Sequence, residues 1–312
     1  MKNHKLNIKH LIGLENTSKD DIEKIIDVGF LFREILDRPM KKVPILKGKN
    51  IVNLFFENST RTKLSFELAE KRLSADVTNF SASSSSINKG ESFKDTVQNI
   101  CSMKMDCVVM RHPIPGSALN LTNFVDAIVI NGGDGAHEHP TQALLDMMSL
   151  KEKFGKIENL KVAIVGDILH SRVALSNIYG LIKLGAKVMV CGPPNLIQKG
   201  IEELGVLVSY DINEVIEWAD AINVLRIQKE RMGVGIIPSV REYREFFGVT
   251  VDRLNSHKKD IVIMHPGPMN RGVEIDSQVA DSDQAIILDQ VLNGVAVRMS
   301  ILYLLLGNNE LR

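Results

Sequence analysis

Ser59, Thr60, Arg61 and Thr62 stand together in the run 56–67, between an apolar segment that reads as a strand (50–56) and an amphipathic one that reads as a helix (62–73). A strand-to-helix turn aims backbone N–H groups outward, and the hydroxyls and guanidinium add donors to the positive end of the helix dipole. The chemistry this suits is the binding of a phosphate-sized anion. The plainer alternative is that Asn58 or Ser59 merely caps the helix. Arg61 argues against it: a permanent cation in the first turn opposes the dipole, whereas its planar fork grips an oxyanion well.

Further polar clusters fall where strands are expected to end, the place where open α/β sheets bind ligands. Arg111, His112 and Pro113 follow a strand over 107–111. His139, Pro140, Thr141 and Gln142 follow a glycine-rich loop (131–135) and open a helix, with Pro140 at a favoured first-turn position and Gln142 able to read a small polar group. Arg172 comes off the turn after a strand over 161–166, where a dinucleotide site would show Gly-x-Gly-x-x-Gly and this chain does not. Arg226 ends a strand over 221–225 and leads into Gln228, Lys229, Glu230 and Arg231. That stretch reads as a mixed-charge surface loop or, with Arg172, as a site for two carboxylates. His265, Pro266, Gly267 and Pro268 follow a strand over 261–264, and the prolines stiffen a loop that can present backbone carbonyls. The serine-rich stretch 81–90 ends on Lys89 and Gly90, with Ser92 and Asp95 forming a helix-cap pattern beyond it, so a loop tipped by a cation could close over an anion. Asp134, His137 and His139 are alternative metal ligands, but Pro140 restricts the backbone there and a second His/Asp cluster is lacking; no metal is expected.

The elements that must carry these groups alternate: helix 19–36, strand 50–56, helix 62–73, strand 76–80, helix 93–101, strand 107–111. From 161 onward the order is strand 161–166, helix 172–184, strand 187–191, helix 197–204, strand 206–210, helix 212–218, strand 221–225 and strand 261–264. Such alternation predicts an α/β fold of two doubly wound domains, each a mainly parallel sheet flanked by helices, joined by interdomain helices. The expected boundaries are 1–138, completed by a C-terminal helix over 291–312, and 139–290. The chain has 312 residues, room for roughly two domains. Its 38 basic residues balance 38 acidic ones, which argues against nucleic acid as a partner. Cys101, Cys107 and Cys191 are too few and irregular for a disulfide framework, and Met1 to Lys5 lead into no apolar signal core, so a cytoplasmic protein is expected. The apolar stretch 285–306 holds Asp289, Gln290, Asn293 and Arg298 and reads as a packed helix rather than a membrane span.

In this order and approximate spacing, Ser59-Thr60-Arg61-Thr62, Lys89-Gly90-Glu91, Arg111-His112-Pro113, His139-Pro140-Thr141-Gln142, Arg172, Arg226 with Gln228, and His265-Pro266 with Pro268 resemble the catalytic subunits of the aspartate carbamoyltransferase family over essentially the whole chain. The resemblance implies carbamoyl transfer from carbamoyl phosphate to L-aspartate in pyrimidine synthesis, without a cofactor. It implies that Ser59, Thr60, Arg61, Thr62 and Arg111 hold the phosphate, and that Thr62, Arg111 and His139 polarise the carbamoyl oxygen. Gln142 and the carbonyls of Pro266 and Gly267 would hold the carbamoyl NH2, and Arg172, Arg226 and Gln228 the aspartate carboxylates. Ser85, or a neighbour in the run 83–86, and Lys89 would reach into the active site of an adjacent subunit of a homotrimer. Regulatory chains or a dihydroorotase are the further partners it admits. The rivals are an ornithine carbamoyltransferase, which usually carries His-Cys-Leu-Pro where this chain has His265 to Pro268 and whose cationic substrate Arg226 and Lys229 would repel, and a noncatalytic scaffold.

Overall fold

Runs of Val, Ile and Leu bounded by polar turns become strands buried on both faces, as parallel sheets require. The computed structural model describes residues 5–81, 92–227, 239–257 and 260–307. The chain divides into two compact units: residues 1–148 with 292–312, and residues 149–291.

In the first unit, α1 (Lys19–Leu36) precedes β1 (Asn50–Phe55), α2 (Thr60–Arg72), β2 (Asp76–Ser81), α3 (Phe93–Ser102), β3 (Cys107–His112), α4 (Ser117–Leu121) and β4 (Ile128–Asp134). The strands are all parallel, in the order β2-β1-β3-β4. Val52, Leu54, Val108, Met110 and Val129 pack with Val97 and Leu121 of the helices into one core. Phe55 lies opposite Arg111, so the turn into α2 and the end of β3 emerge at the same sheet edge. The Asn131–Asp134 stretch, expected in a glycine-rich loop, is instead the end of β4. Its Asn-Gly-Gly-Asp composition suppresses the strand signal.

The second unit contains β5 (Lys161–Val165), α6 (Arg172–Lys183), β6 (Lys187–Cys191), β7 (Leu207–Ser209), α7 (Ile212–Trp218), β8 (Ala221–Val224), α8 (Val240–Phe247), α9 (Val251–His257), β9 (Val262–Met264) and α10 (Ser277–Ala280). Its strands are also parallel, in the order β7-β6-β5-β8-β9. The helix expected over 197–204 is two short 3-10 turns, Pro194–Leu196 and Ile201–Leu204. Gly200 and Gly205, both left-handed, bracket the second and stop an α-helix from propagating.

Two helices carry the chain across the boundary between the units, α5 (Pro140–Phe154) and α11 (Ile287–Leu306). By length and composition α11 could cross a membrane, but most of it is buried in the fold. Gln290, Asn293 and Arg298 are buried along it, and the Arg298 side chain is placed by hydrogen bonds.

Glu70, one of the residues that hold α2 to the sheet, is fully buried. Asn53 of β1 donates to its Oε2 at 2.8 Å and also to Asn79 Oδ1 at 3.2 Å. Burial pushes the Glu70 carboxyl up to about 7 despite the Asn53 hydrogen bond. A raised carboxyl pKa means that the native state holds the proton more tightly than the unfolded chain. The resulting stability is complete below about pH 4.5 and is lost as pH rises through about 7. Glu70→Gln supplies a neutral amide in place of the ionised carboxylate. Thermal melts should show the variant more stable than wild type at pH 8, by on the order of 2 kcal/mol, and level with it at pH 4. Parallel curves across that range would contradict the assignment.

Candidate anion and carboxylate sites

The start of α2 supplies the first site. Ser59 occupies the N-cap position at φ −155°, yet its side chain makes no capping hydrogen bond. The first bond into the helix runs from Lys63 N–H to the Ser59 carbonyl at 3.2 Å, so the N–H groups of the first turn point out of the helix end. Thr60 and Arg61 are exposed beside them, while Thr62 is buried with its hydroxyl facing β3. Simple capping by Ser59 therefore does not account for this turn.

Arg111 enters the same place from β3. The register of β3 against β4 slips between Met110 and His112, and this bulge re-aims the Arg111 side chain. Gly132 sits across from it: a Cβ there would lie 3.2 Å from the Met110 carbonyl oxygen, so the backbone would have to give by a few tenths of an ångström to admit one. The guanidinium donates through Nε to Glu57 Oε1 (2.7 Å) and through Nη1 to the Gly132 carbonyl (3.1 Å) and Thr62 Oγ1 (3.4 Å). His139 Nε2 lies 3.4 Å from the same Nη1. Because a guanidinium only donates, that ring nitrogen faces it as the acceptor. Next along the chain, His112 accepts at Nδ1 from Ile114 N–H (3.0 Å) and packs against Phe56 and Phe93. Burial lowers its pKa. Gln142, in the first turn of α5, donates through Nε2 to Asp146 Oδ1 at 3.0 Å.

The alternative metal set does not assemble. Asp134 accepts from Gly116 N–H (2.7 Å), Asn131 Nδ2 (2.8 Å) and Glu138 N–H (3.2 Å), with His137 Nδ1 at 3.2 Å, while His139 faces a guanidinium. Asp134 is thus committed to fastening the end of β4. The structure instead groups Glu15, His137 and Glu138, where the Glu138 carboxylate accepts from the Leu14 and Glu15 N–H groups at 2.7 and 3.2 Å.

In the second unit, Val165 of β5 lies opposite Val224 of β8, and Leu225 N–H donates to the Val165 carbonyl at 2.8 Å. Arg172 and Arg226 therefore leave neighbouring strands at one sheet edge, Arg172 buried in the first turn of α6 and Arg226 half-buried. Ser171 caps α6, its hydroxyl accepting from Ala174 N–H at 3.2 Å. The loop after β9 is secured by its own network. His265 Nδ1 accepts from Gly267 N–H (2.8 Å), and its Nε2 faces Glu274 Oε1 (3.4 Å). Glu274, fully buried, also accepts from the backbone and side chain of Asn270. Asn270 Nδ2 reaches the Ile227 carbonyl at 3.2 Å, so the loop holding Pro266 and Gly267 is tied to the residue after Arg226. Gly267 has φ +60°, and the Gly267–Pro268 bond is cis.

Ser59, Thr60, Arg61, Thr62, Arg111, His139 and Gln142 all lie in the first unit, with Thr62, Arg111 and His139 in one cluster. Arg172, Arg226, Pro266 and Gly267 lie in the second. Ser85, Lys89 and Gln228 lie outside the described residues. Glu57, Asp146, Asn270 and Glu274, which orient these groups, were not singled out from sequence. Only the four-residue spacing of Gln142 and Asp146 on a helix carried a signal.

The protein is a parallel α/β fold with hydroxyls, a guanidinium and outward helix N–H groups at one sheet edge and with Arg172 and Arg226 after neighbouring strands of the other sheet, groups of the kind that small anionic molecules require. The chain belongs to the aspartate/ornithine carbamoyltransferase family: residues 9–152 match that family's carbamoyl-P binding domain and residues 158–305 its Asp/Orn binding domain. It is 61% identical over 300 residues to the aspartate carbamoyltransferase catalytic subunit of Christiangramia forsetii, covering 96% of this chain and 97% of that one. With the subunit of the same name from Cytophaga hutchinsonii the identity is 57% over 303 residues, covering 97% and 99%. The aspartate transcarbamoylase of Trypanosoma cruzi, crystallised with carbamoyl phosphate and aspartate, superposes with a TM-score of 0.87 at 30% identity, covering 96% of this chain and 97% of that one. The ornithine carbamoyltransferase of Pyrococcus furiosus gives 0.84 at 28%, covering 96% and 98%.

Arg111→Lys keeps the charge but loses the fork that reaches Glu57, Thr62 and Gly132 together. Calorimetric titration with inorganic phosphate should show binding weakened by about tenfold or more, and the melting temperature should fall because Glu57 and Gly132 lose their donor.

Proposed function

We infer that the protein transfers the carbamoyl group of carbamoyl phosphate to the amino group of L-aspartate, giving N-carbamoyl-L-aspartate and phosphate, in the formation of pyrimidines. The observation that carries this reading is the Thr62–Arg111–His139 cluster set against the outward-facing first turn of α2. In this reading Ser59, Thr60, Arg61, Thr62 and Arg111 hold the phosphate through helix N–H groups, hydroxyls and guanidinium forks. Thr62, Arg111 and His139 stabilise the negative charge that develops on the carbamoyl oxygen as the amine attacks. Gln142 and the carbonyls of Pro266 and Gly267 receive the carbamoyl NH2. Arg172 and Arg226, with Gln228, bind the two aspartate carboxylates, an arrangement that suits a dianion and repels the ammonium tail of ornithine. The C–N bond forms as the carbonyl carbon's bond to the bridging phosphate oxygen breaks; the leaving phosphate accepts the amine proton. Catalysis is positioning and charge stabilisation, with no cofactor assigned a step.

The active assembly in this reading is a homotrimer in which Ser85 and Lys89 complete the neighbouring subunit's site. Leu64 and Leu68, exposed one turn apart on α2, support a covered face in the first unit. A cytoplasmic setting is supported by Cys101, Cys107 and Cys191, all free thiols. Regulatory chains or a dihydroorotase are the further partners compatible with such a trimer.

The decisive assay is release of phosphate from carbamoyl phosphate with L-aspartate, then L-ornithine, as acceptor, with identification of the product. Turnover with aspartate is expected, and turnover with ornithine alone would overturn the reading of Arg172 and Arg226. Arg61→Ala should lower kcat by about a hundredfold or more. Arg226→Ala should act mainly by raising the KM for aspartate, by about tenfold or more. For the shared site, mixing the inactive Arg61→Ala and Lys89→Ala chains should restore part of the activity through hybrid trimers. Verified subunit exchange without recovery would count against it.

A further inference from the structure

Asp146 lies one helical turn beyond Gln142 on α5 and is fully buried. Its Oδ1 accepts from Gln142 Nε2 at 3.0 Å. A carboxylate offers only acceptors, so the end of the Gln142 amide turned toward it must be the NH2; the chemistry of the partner settles an orientation that shape alone leaves ambiguous. A second buried charge stands on α11. Arg298 of α11 donates to Ser65 Oγ (3.0 Å), the Gly294 carbonyl (2.9 Å) and Thr141 Oγ1 (3.4 Å), and its guanidinium lies 5.0 Å from the Phe66 ring centre. Burial lowers the Arg298 pKa to about 10, with the Asp146 charge opposing the shift, so at neutral pH the guanidinium remains a cation. A Gln–Asp pair four residues apart on an exposed helix contributes little. Here the acceptor is out of water, so turning the amide over would set its carbonyl oxygen against the carboxylate oxygen, acceptor to acceptor.

We propose that Asp146 is a specificity-determining positioning residue: by engaging the NH2 of Gln142 it leaves Gln142 Oε1 as the outward group of the amide, which selects a ligand bearing an N–H donor at that point. The proposal rests on the reading of Gln142 as the group that meets the carbamoyl nitrogen. It assigns the preferred ligand class as an acyl phosphate carrying an amino group. Acetyl phosphate, of almost the same shape, offers Oε1 only a methyl group and leaves it without a hydrogen bond. An amide free to turn could face either a donor or an acceptor and would discriminate less.

Dissociation constants for carbamoyl phosphate, acetyl phosphate and inorganic phosphate, measured without aspartate, test this in the full-length wild type, Asp146→Asn, Gln142→Met and the double variant. The wild type should prefer carbamoyl over acetyl phosphate by about tenfold or more. Asp146→Asn, whose amide can pair with Gln142 in either orientation, should cut that preference by about fivefold or more while inorganic phosphate binds within about twofold of wild type. In the Gln142→Met background the Asp146 substitution should change the preference no further. An unchanged preference in folded Asp146→Asn overturns the proposal. So does a wild type that fails to distinguish the two acyl phosphates, an outcome that needs no variant to fold. Failure of the underlying reading looks different: Gln142→Met leaves the preference intact, or the wild type does not carbamoylate aspartate.

Discussion

Arg111 brings a permanent charge to a position where only 12% of its side chain meets solvent. Such a charge persists there only if its donors are met, and they are met from four separate stretches of chain: Glu57 before α2, Thr62 within it, Gly132 at the end of β4 and His139 ahead of α5. Much of the first unit follows from that requirement. The strand order sets β1 and β4 on either side of β3, the bulge turns the arginine, and Gly132 admits the close strand approach. Glu57 takes Nε, which leaves the Nη1 side directed at Gly132, Thr62 and His139.

The two units share an architecture and divide the chemistry differently. In the first, the cap serine of α2 makes no side-chain bond and the helix end is open to an anion. In the second, Ser171 spends its hydroxyl on Ala174 N–H, so the start of α6 is partly satisfied and recognition falls to the arginine side chains. Helix N–H groups suit a compact tetrahedral ion, whereas long cationic side chains span carboxylates set apart on a small molecule. The two serines thus leave the start of α2 less satisfied than the start of α6 on otherwise similar sheets.

Much of this was legible in the sequence, because alternating apolar runs announce parallel strands and the polar groups that matter sit just past their ends. Strands β1, β3, β5 and β8 fall within a residue of where periodicity puts them; Arg111 lies at the end of β3, Arg226 just past β8, and Arg61 and Arg172 in the first turns of the helices that follow β1 and β5. What escaped was β4, whose polar, glycine-rich end hides a strand that long-range pairing enforces, and helices α4, α8, α9 and α10. In the sites, the partners of the recognised residues escaped. Glu274 serves His265 and Asn270 from a turn of ordinary composition, and Arg298 meets Ser65 across 233 positions of sequence. A residue that recognises a ligand shows itself by type and place. One that aims another residue shows itself only when the chain is folded.

The second unit is a continuous stretch, residues 149–291, inserted into a first unit made from residues before and after it. On the ribosome, the strands of the first sheet are therefore made early but wait for their closing helix, while the unit between can collapse in order of synthesis. Until α11 emerges, Ser65 has no Arg298 and Phe66 has no guanidinium over its ring. A premature stop late in the message would thus disable the half of the protein written first, leaving the Ser59–Thr62 motif present in the chain but deprived of the helix that completes its fold.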